Sequence, residues 1–281
     1  MEFRLKVNAA HNSPARAVTA DAARNFQAHD FAGGAAVLFT AAAPWKKTAP
    51  NEDRAALISC GKGCGVLAVT DGLGGLPAGR EASDTVIAAL VRELSGTGRR
   101  GAALDAAVEA ALQSANRALL AGGLGNACTI GTAVVEGLTV RAGHAGDTEV
   151  LVTNRRGGRK FRTAAHSPSG AALSSGALSE EQALRHPQRN IVNNVIGGAD
   201  FYLEAGDAVA LAAGDTVTVA SDGLWDNFYE REISHMICAA KLPEAAANLA
   251  AAAARRMAGG DGDGLPGHAD DLTFILYRPN P

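Results

Sequence analysis

The order of elements readable in the sequence places this chain in the α+β class, with antiparallel sheets covered by helical layers. Three observations carry that assignment. Strands come in groups joined by tight turns, as where residues 132–135 and 138–142 flank Glu136-Gly137. Helices come in consecutive pairs, residues 82–94 with 104–119, and 229–239 with 243–257. Strand and helix do not alternate in the way that a parallel sheet requires.

Each element rests on its own pattern. Phe3, Leu5 and Val7 alternate with polar residues and predict an opening strand. Residues 9–34 are rich in alanine and polar residues and carry no readable period. A second strand is expected over 35–40. The apolar run 66–70 lies between Gly65 and Asp71-Gly72 and reads as a buried strand. Gly61-Lys62-Gly63-Cys64-Gly65 precedes it and reads as a hairpin turn, since it lacks the spacing of a phosphate loop and opens no helix.

Helical spacing then relates Ala82, Val86, Leu90 and Leu94, and again Leu104, Val108, Leu112, Ala115 and Leu119. After the hairpin, residues 150–153 continue the strand series. Ser179-Glu180-Glu181-Gln182 is a capping box that predicts a short helix. A strand over 216–221 follows, then the second helix pair, whose later member has Pro243 at its first position. A glycine- and aspartate-rich loop over 259–268 leads into a closing strand over 272–277.

Bulk properties bound the function. The 281 residues are expected to form one domain, 1–281, long enough to bury a core without disulfides. A net charge of −3 gives no basic surface for nucleic acid, although cations in one cleft could still accept a phosphorylated substrate. Cys60, Cys64, Cys128 and Cys238 form neither a disulfide framework nor a zinc pattern, so free thiols are expected. The charged start and the lack of a long apolar run argue against a signal peptide and a membrane span. The expectation is a cytoplasmic, soluble monomer with no nucleic-acid or membrane partner.

Chemistry concentrates in three acidic motifs of one design. Asp71 ends a hydrophobic strand and is followed by Gly72-Leu73-Gly74-Gly75. Asp222 ends a second strand within Ala220-Ser221-Asp222-Gly223-Leu224-Trp225-Asp226. Asp270 opens a third in Asp270-Asp271-Leu272-Thr273-Phe274. An Asp-Gly pair at a strand end is by itself usually a turn. Carboxylates on a rigid framework beside glycine also suit hard cations such as Mg²⁺ and Mn²⁺. Asp71, Asp222 and Asp270 are therefore the expected catalytic centre.

In order and flanks, the motifs resemble the metal-dependent Ser/Thr protein phosphatases of type 2C, in their bacterial form. The matching blocks are Asn51-Glu52-Asp53, Asp71-Gly72-Leu73-Gly74-Gly75 and Gly79-Arg80-Glu81-Ala82-Ser83. They continue with Gly131-Thr132-Ala133, Ala145-Gly146-Asp147-Thr148, His166-Ser167 and His186-Pro187-Gln188-Arg189-Asn190. Ile196-Gly197, Ser221-Asp222-Gly223-Leu224-Trp225-Asp226 and Asp270-Asp271-Leu272-Thr273 complete the series.

The resemblance implies a four-layer α-β-β-α sandwich of two antiparallel sheets flanked by helix pairs. It also implies hydrolysis of phosphoserine and phosphothreonine in proteins by a water bridging two metal ions, with two or three Mn²⁺ or Mg²⁺ as cofactors. Asp71 would bridge both metals and the Gly72 carbonyl would complete one shell. Asp222 and Asp270 would hold the second metal, Asp53 would bind directly or with Glu52 through water, and Asp147 would share a third site with Asp222. The implied partner is a phosphorylated protein, such as one opposite a Ser/Thr kinase. A catalytically silent binding module and a small-molecule phosphoesterase are the alternatives.

The chain departs from the family at several places. No arginine precedes Asn51-Glu52-Asp53 to grip phosphate; Lys46 and Lys47 stand there, with Lys47 the candidate phosphate ligand but without bidentate geometry. Leu73 replaces a histidine that some relatives carry, Glu149 replaces an arginine, and Ala165 an aspartate. His144 is read as a packed strand residue, with a cleft-facing role as the other possibility. Trp225 and Phe228 are read as packing beside the site. Residues 1–45 exceed the family core and could add edge strands or carry a partner site.

Overall fold

The computed structural model describes residues 17–20, 24–44, 51–73, 78–123, 125–259 and 267–280. The strand expected around Phe3–Val7 and the candidate phosphate ligands Lys46 and Lys47 lie outside these residues. In chain order the first elements are β1 (Ala17–Ala20), β2 (Arg24–Phe31), β3 (Gly34–Ala41), β4 (Arg54–Gly61) and β5 (Cys64–Leu73). Helices α1 (Ala78–Leu94) and α2 (Gly101–Gly122) follow, then β6 (Ala127–Glu136), β7 (Thr139–Ala145), β8 (Glu149–Thr153) and β9 (Arg159–Arg162). The remainder comprises α3 (Pro168–Ser174), α4 (Glu180–Leu184), β10 (Glu204–Ala205), β11 (Val209–Ala210) and β12 (Thr216–Ala220). It ends with α5 (Asp222–Trp225), α6 (Glu230–Cys238), α7 (Leu242–Gly259) and β13 (Leu272–Pro279).

Two antiparallel sheets result. The first runs β1-β4-β5-β6-β7-β10, with β11 also on β7; the second runs β2-β3-β13-β12-β8-β9. Strand alternation divides the core into three layers. On β5, Val66 and Ala68 face α1 and α2, packing with Val86, Leu90, Leu104 and Leu112. Leu67 and Val69 of the same strand face the other sheet and meet Leu38, Val217, Val219, Ile275 and Tyr277. On β13, Phe274 and Leu276 point to the opposite helices, among Ile233, Ile237, Leu249 and Ala253. Both faces of these strands are covered, which is why they read as continuous apolar runs rather than as alternating ones. The resulting order is helices, sheet, sheet, helices, as the family resemblance implied.

Local chemistry explains the boundaries. Gly123 ends α2 in the left-handed region at φ 66° and donates its N–H to the Leu120 carbonyl. Ser179 caps α4 through the expected reciprocal box with Gln182. Residues 9–34, which carry no readable period, contain β1 and β2. β2 turns into β3 through Ala32 at φ 48° and Gly33 at φ 80°. A positive φ at alanine carries no turn signature, so this hairpin is silent in the sequence. The Tyr277 hydroxyl donates to the Ala32 carbonyl and holds the turn (3.2 Å). Pro243 is the second residue of α7 rather than its first, because Leu242 begins the helix. No helix among the described residues is long and apolar enough to cross a membrane.

Candidate metal centre

The site is assembled where the two sheets open at one end. Asp71 lies near the end of β5, paired with Thr129 of β6, and Gly72 pairs with Cys128. Backbone contact then carries the chain into α1. A Cβ on Gly72 would sit 2.3 Å from the Gly79 carbonyl oxygen, and one on Gly79 would sit 2.9 Å from Glu52 Oε1. Glycine at both places lets the start of α1 lie directly against the end of β5, with the Glu52 carboxylate beside it.

Asp53 precedes β4 and is fully buried. Its Oδ2 accepts the Ser221 hydroxyl at 2.8 Å, and its N–H donates to Asn51 Oδ1 at 2.9 Å. The Asn51 amide in turn donates to Thr40 Oγ1, which is hydrogen-bonded to Thr273 Oγ1 (2.7 Å each). Asp271, just before β13, braces the same loop: its two carboxylate oxygens accept the N–H groups of Ala43 and Glu52, each at 2.8 Å. Asp270 sits beside it at the mouth of the site, with Oδ1 accepting the Asp271 N–H at 2.8 Å.

Asp222 does not end a strand, as the sequence suggested. β12 stops at Ala220, and Asp222 is the first residue of the short α5. A Cβ on Gly223 would lie 2.0 Å from the Asp271 carbonyl oxygen, so the glycine permits α5 to seat against the start of β13. One helical turn later comes Asp226, whose N–H donates to the Asp222 carbonyl at 2.8 Å. Asp226 belongs to a motif recognised in the sequence but received no role there. Its i,i+4 spacing from Asp222 was the available signal.

These carboxylates raise one another's proton affinity. Burial, followed by the charges of Asp53, Asp222, Asp270 and Asp147, pushes Asp71 well above the usual carboxylate range. Asp53 is driven up chiefly by burial and then by Asp271, against hydrogen bonds from Ser221 and Thr273. Asp147, in the β7–β8 turn, is raised first by burial and then by Asp222 and Asp226. Burial and Asp226 push Asp222 up to about 6, against hydrogen bonding with Asp71 and Gly223. Asp226 also reaches about 6, mainly through burial, with Arg189 pulling it down and Asp270 pushing it up. Arg189 donates from Nε to Asp226 Oδ2 at 3.2 Å and contacts His268 Nδ1 at 2.9 Å. It shares a cavity of about 210 Å³ with Asp222, Asp226 and Asp270.

The donor set suits hard divalent cations. Asp53 Oδ1 and Asp222 Oδ1 are buried carboxylate oxygens without a hydrogen-bond partner, an expensive arrangement unless a cation completes it. Oxygen ligands dominate, and the four cysteines are free thiols.

Other sequence expectations resolve around the centre. Glu149 is paired with Arg162 at 2.8 Å and 3.0 Å. That guanidinium also pairs with Glu230 at 3.3 Å and Glu180 at 3.5 Å, and lies 4.8 Å over the Trp225 ring. Burial alone would lower the Arg162 pKa, but Glu149 first, then Glu230 and Glu180, hold it above its ordinary value. Trp225 and Phe228 are buried packing residues, and the Trp225 indole donates to the Ala220 carbonyl at 2.8 Å. His144 is a buried residue of β7, with Nε2 at 2.8 Å from the Ala164 carbonyl oxygen.

Known proteins share this fold. The family model described as protein phosphatase 2C matches residues 43–252. A protein of Streptococcus pyogenes serotype M6 described as protein phosphatase 2C-type is 30% identical over 196 residues, covering 67% of this chain and 78% of that one. The serine/threonine phosphatase of S. agalactiae superposes with a TM-score of 0.74 at 24% identity, over 86% of this chain and 97% of that one. The catalytic domain of PstP, solved with two manganese ions, gives 0.68 at 21% identity over 88% and 98%. Fold, motif order and family match agree, and the chain belongs to the protein phosphatase 2C family.

Proposed function

We propose that this chain is a metal-dependent protein-serine/threonine phosphatase whose cations are Mn²⁺ or Mg²⁺, held by the aspartate cluster. The observation that carries the reading is the convergence of Asp53, Asp71, Asp147 and Asp270 from separate strand ends and turns on Asp222 and Asp226 of α5. A binding module has no physical need for so many like charges crowded in one cleft, which destabilise the fold unless cations offset them.

Asp71 and the Gly72 carbonyl would take two cations at the end of β5, with Asp222 and Asp270 on one and Asp53, with Glu52, on the other. Asp147, Asp222 and Asp226 would form a third, weaker site. When bound, such cations make a water nucleophilic near neutral pH and offset charge on the phosphoryl oxygens. The chain's own part is positional. Ser221 fixes one oxygen of Asp53, Asp271 fixes the 51–53 loop, and Arg189 offers a guanidinium at the edge of the same cavity. The role of Lys47 in gripping phosphate is retained as part of this reading.

The substrate class is a phosphorylated protein of a Ser/Thr kinase pathway, and the whole chain, 1–281, acts as one catalytic unit. Four unbridged cysteines fit a reducing cytoplasm.

Hydrolysis of an aryl phosphate and of a phosphothreonine peptide tests the reading, with Mn²⁺, with Mg²⁺ and with chelator, beside Asp222→Ala. Metal-dependent turnover, greater with the peptide and lost in the variant, is expected. No turnover with any metal from a folded protein would overturn it.

A further inference from the structure

The turn that presents Asp147 is held by one side chain from another loop. His166, just before α3, donates its backbone N–H to the Gly146 carbonyl at 2.9 Å, and its ring Nδ1 accepts the Gly146 N–H at 3.2 Å. Both polar groups of Gly146 therefore close on a single residue. Gly146 stands at φ +95°, and a Cβ there would lie 2.4 Å from Thr129 Cγ2, so the turn has no slack of its own.

The same Nδ1 accepts a second donor, Asn194 Nδ2, at 3.0 Å. The orientation of that amide is set by Tyr202, whose carbonyl accepts Nδ2 at 2.8 Å and whose N–H donates to Asn194 Oδ1 at 3.3 Å. Two N–H groups converge on Nδ1, so it carries a lone pair and the proton resides on Nε2. Nε2 then donates to Glu204 Oε2 of β10 at 3.0 Å. The ring lies between His144 at 4.2 Å and Tyr202 at 5.3 Å.

His144, His166 and Glu204 are close enough together to suggest a metal site of their own. The two imidazole planes face each other with a tilt of 31°, so their in-plane lone pairs run nearly side by side instead of meeting at one ion. His166 Nδ1 is already engaged as well.

We propose that His166 is a positioning residue for the third-cation site, acting through Gly146 on Asp147 as a neutral imidazole protonated at Nε2. The proposal rests on the reading of Asp147 given above. It makes two isosteric substitutions differ. His166→Asn places an amide oxygen where Nδ1 was and keeps the acceptor for Gly146; His166→Gln keeps a donor toward Glu204 and loses that acceptor.

The experiment is isothermal titration of the full chain with Mn²⁺, for wild type, both variants and Asp147→Asn. Removing the support behind a ligand typically weakens metal affinity by at least ~10-fold. The weakest site of His166→Gln is therefore expected to weaken about tenfold, with the tighter sites unchanged and His166→Asn close to wild type. Loss of that site in Asp147→Asn but not in His166→Gln would overturn the proposal alone, as would equal loss in both histidine variants. A weak site that survives Asp147→Asn would overturn the reading of Asp147 on which it stands. If a variant fails to fold, ¹⁵N spectra of wild-type His166 still decide: a proton on Nδ1 refutes the proposal, and one on Nε2 supports it.

Discussion

Neutralising Asp222 should stabilise the metal-free protein at neutral pH while weakening its response to metal. Asp222 is partly buried among like charges, and its pKa rises from an ordinary 3.8 to about 6. The folded state thus binds this proton more tightly than the unfolded chain does. The associated stability is fully present below about pH 3.8 and is lost as pH climbs through about 6. A rise of that size corresponds to about 3 kcal/mol. Asp222→Asn cannot lose it. The assay is urea unfolding of chelated wild type and Asp222→Asn between pH 4 and pH 7. Any pH-independent effect of the amide cancels in the change of their difference across that window, which should favour the variant by about 2 kcal/mol. Added Mn²⁺ at about 100 times its Kd should then stabilise wild type by about 2.7 kcal/mol at neutral pH and the variant by less. A difference that stays flat with pH, within about 1 kcal/mol, would show that the carboxylates are not in conflict and would remove the physical case for a cation there.

Two further substitutions probe the scaffold. Asp271→Ala strands the Ala43 and Glu52 N–H groups, at about 1–3 kcal/mol each, offset in part by relief of the charge that raises Asp53. Chelated protein should lose about 2–4 kcal/mol in urea titration, and a loss under about 1 kcal/mol would mean that Asp271 does not brace the loop. Gly72→Ala drives a Cβ to 2.3 Å from the Gly79 carbonyl oxygen, which only movement of α1 can relieve. Calorimetry should show about 1–3 kcal/mol of destabilisation together with weakened Mn²⁺ binding; wild-type behaviour in both would refute the close backbone approach.

Elements built from large apolar residues at regular spacing are legible in the chain itself. Val86, Leu90 and Leu94 announce α1, and Glu136-Gly137 announces the β6–β7 hairpin, because both signals lie within a few consecutive residues. The β2–β3 hairpin is not legible, since its turn uses Ala32 in a conformation that alanine rarely adopts. β9 is also hidden, a charged edge strand of Arg159–Arg162 whose arginines pair with Glu230 and Glu149. α3 did carry a signal, Ser167 as N-cap followed by Pro168, but it is short enough to pass for a turn.

Which carboxylates lie beside small residues and chain turns, and in what order, is written in the chain itself, and Asp71, Asp222 and Asp270 are identifiable on that basis. Tertiary structure alone decided that Asp226 joins them, that Asp271 braces instead of facing the cluster, and that Glu149 is engaged by Arg162. Local periodicity is a property of neighbouring residues. The contact between Asp53 and Ser221 spans 168 positions and exists only when both sheets are in register. The raised proton affinities belong to that register too, since each depends on charges that the fold brings from elsewhere in the chain into one desolvated place.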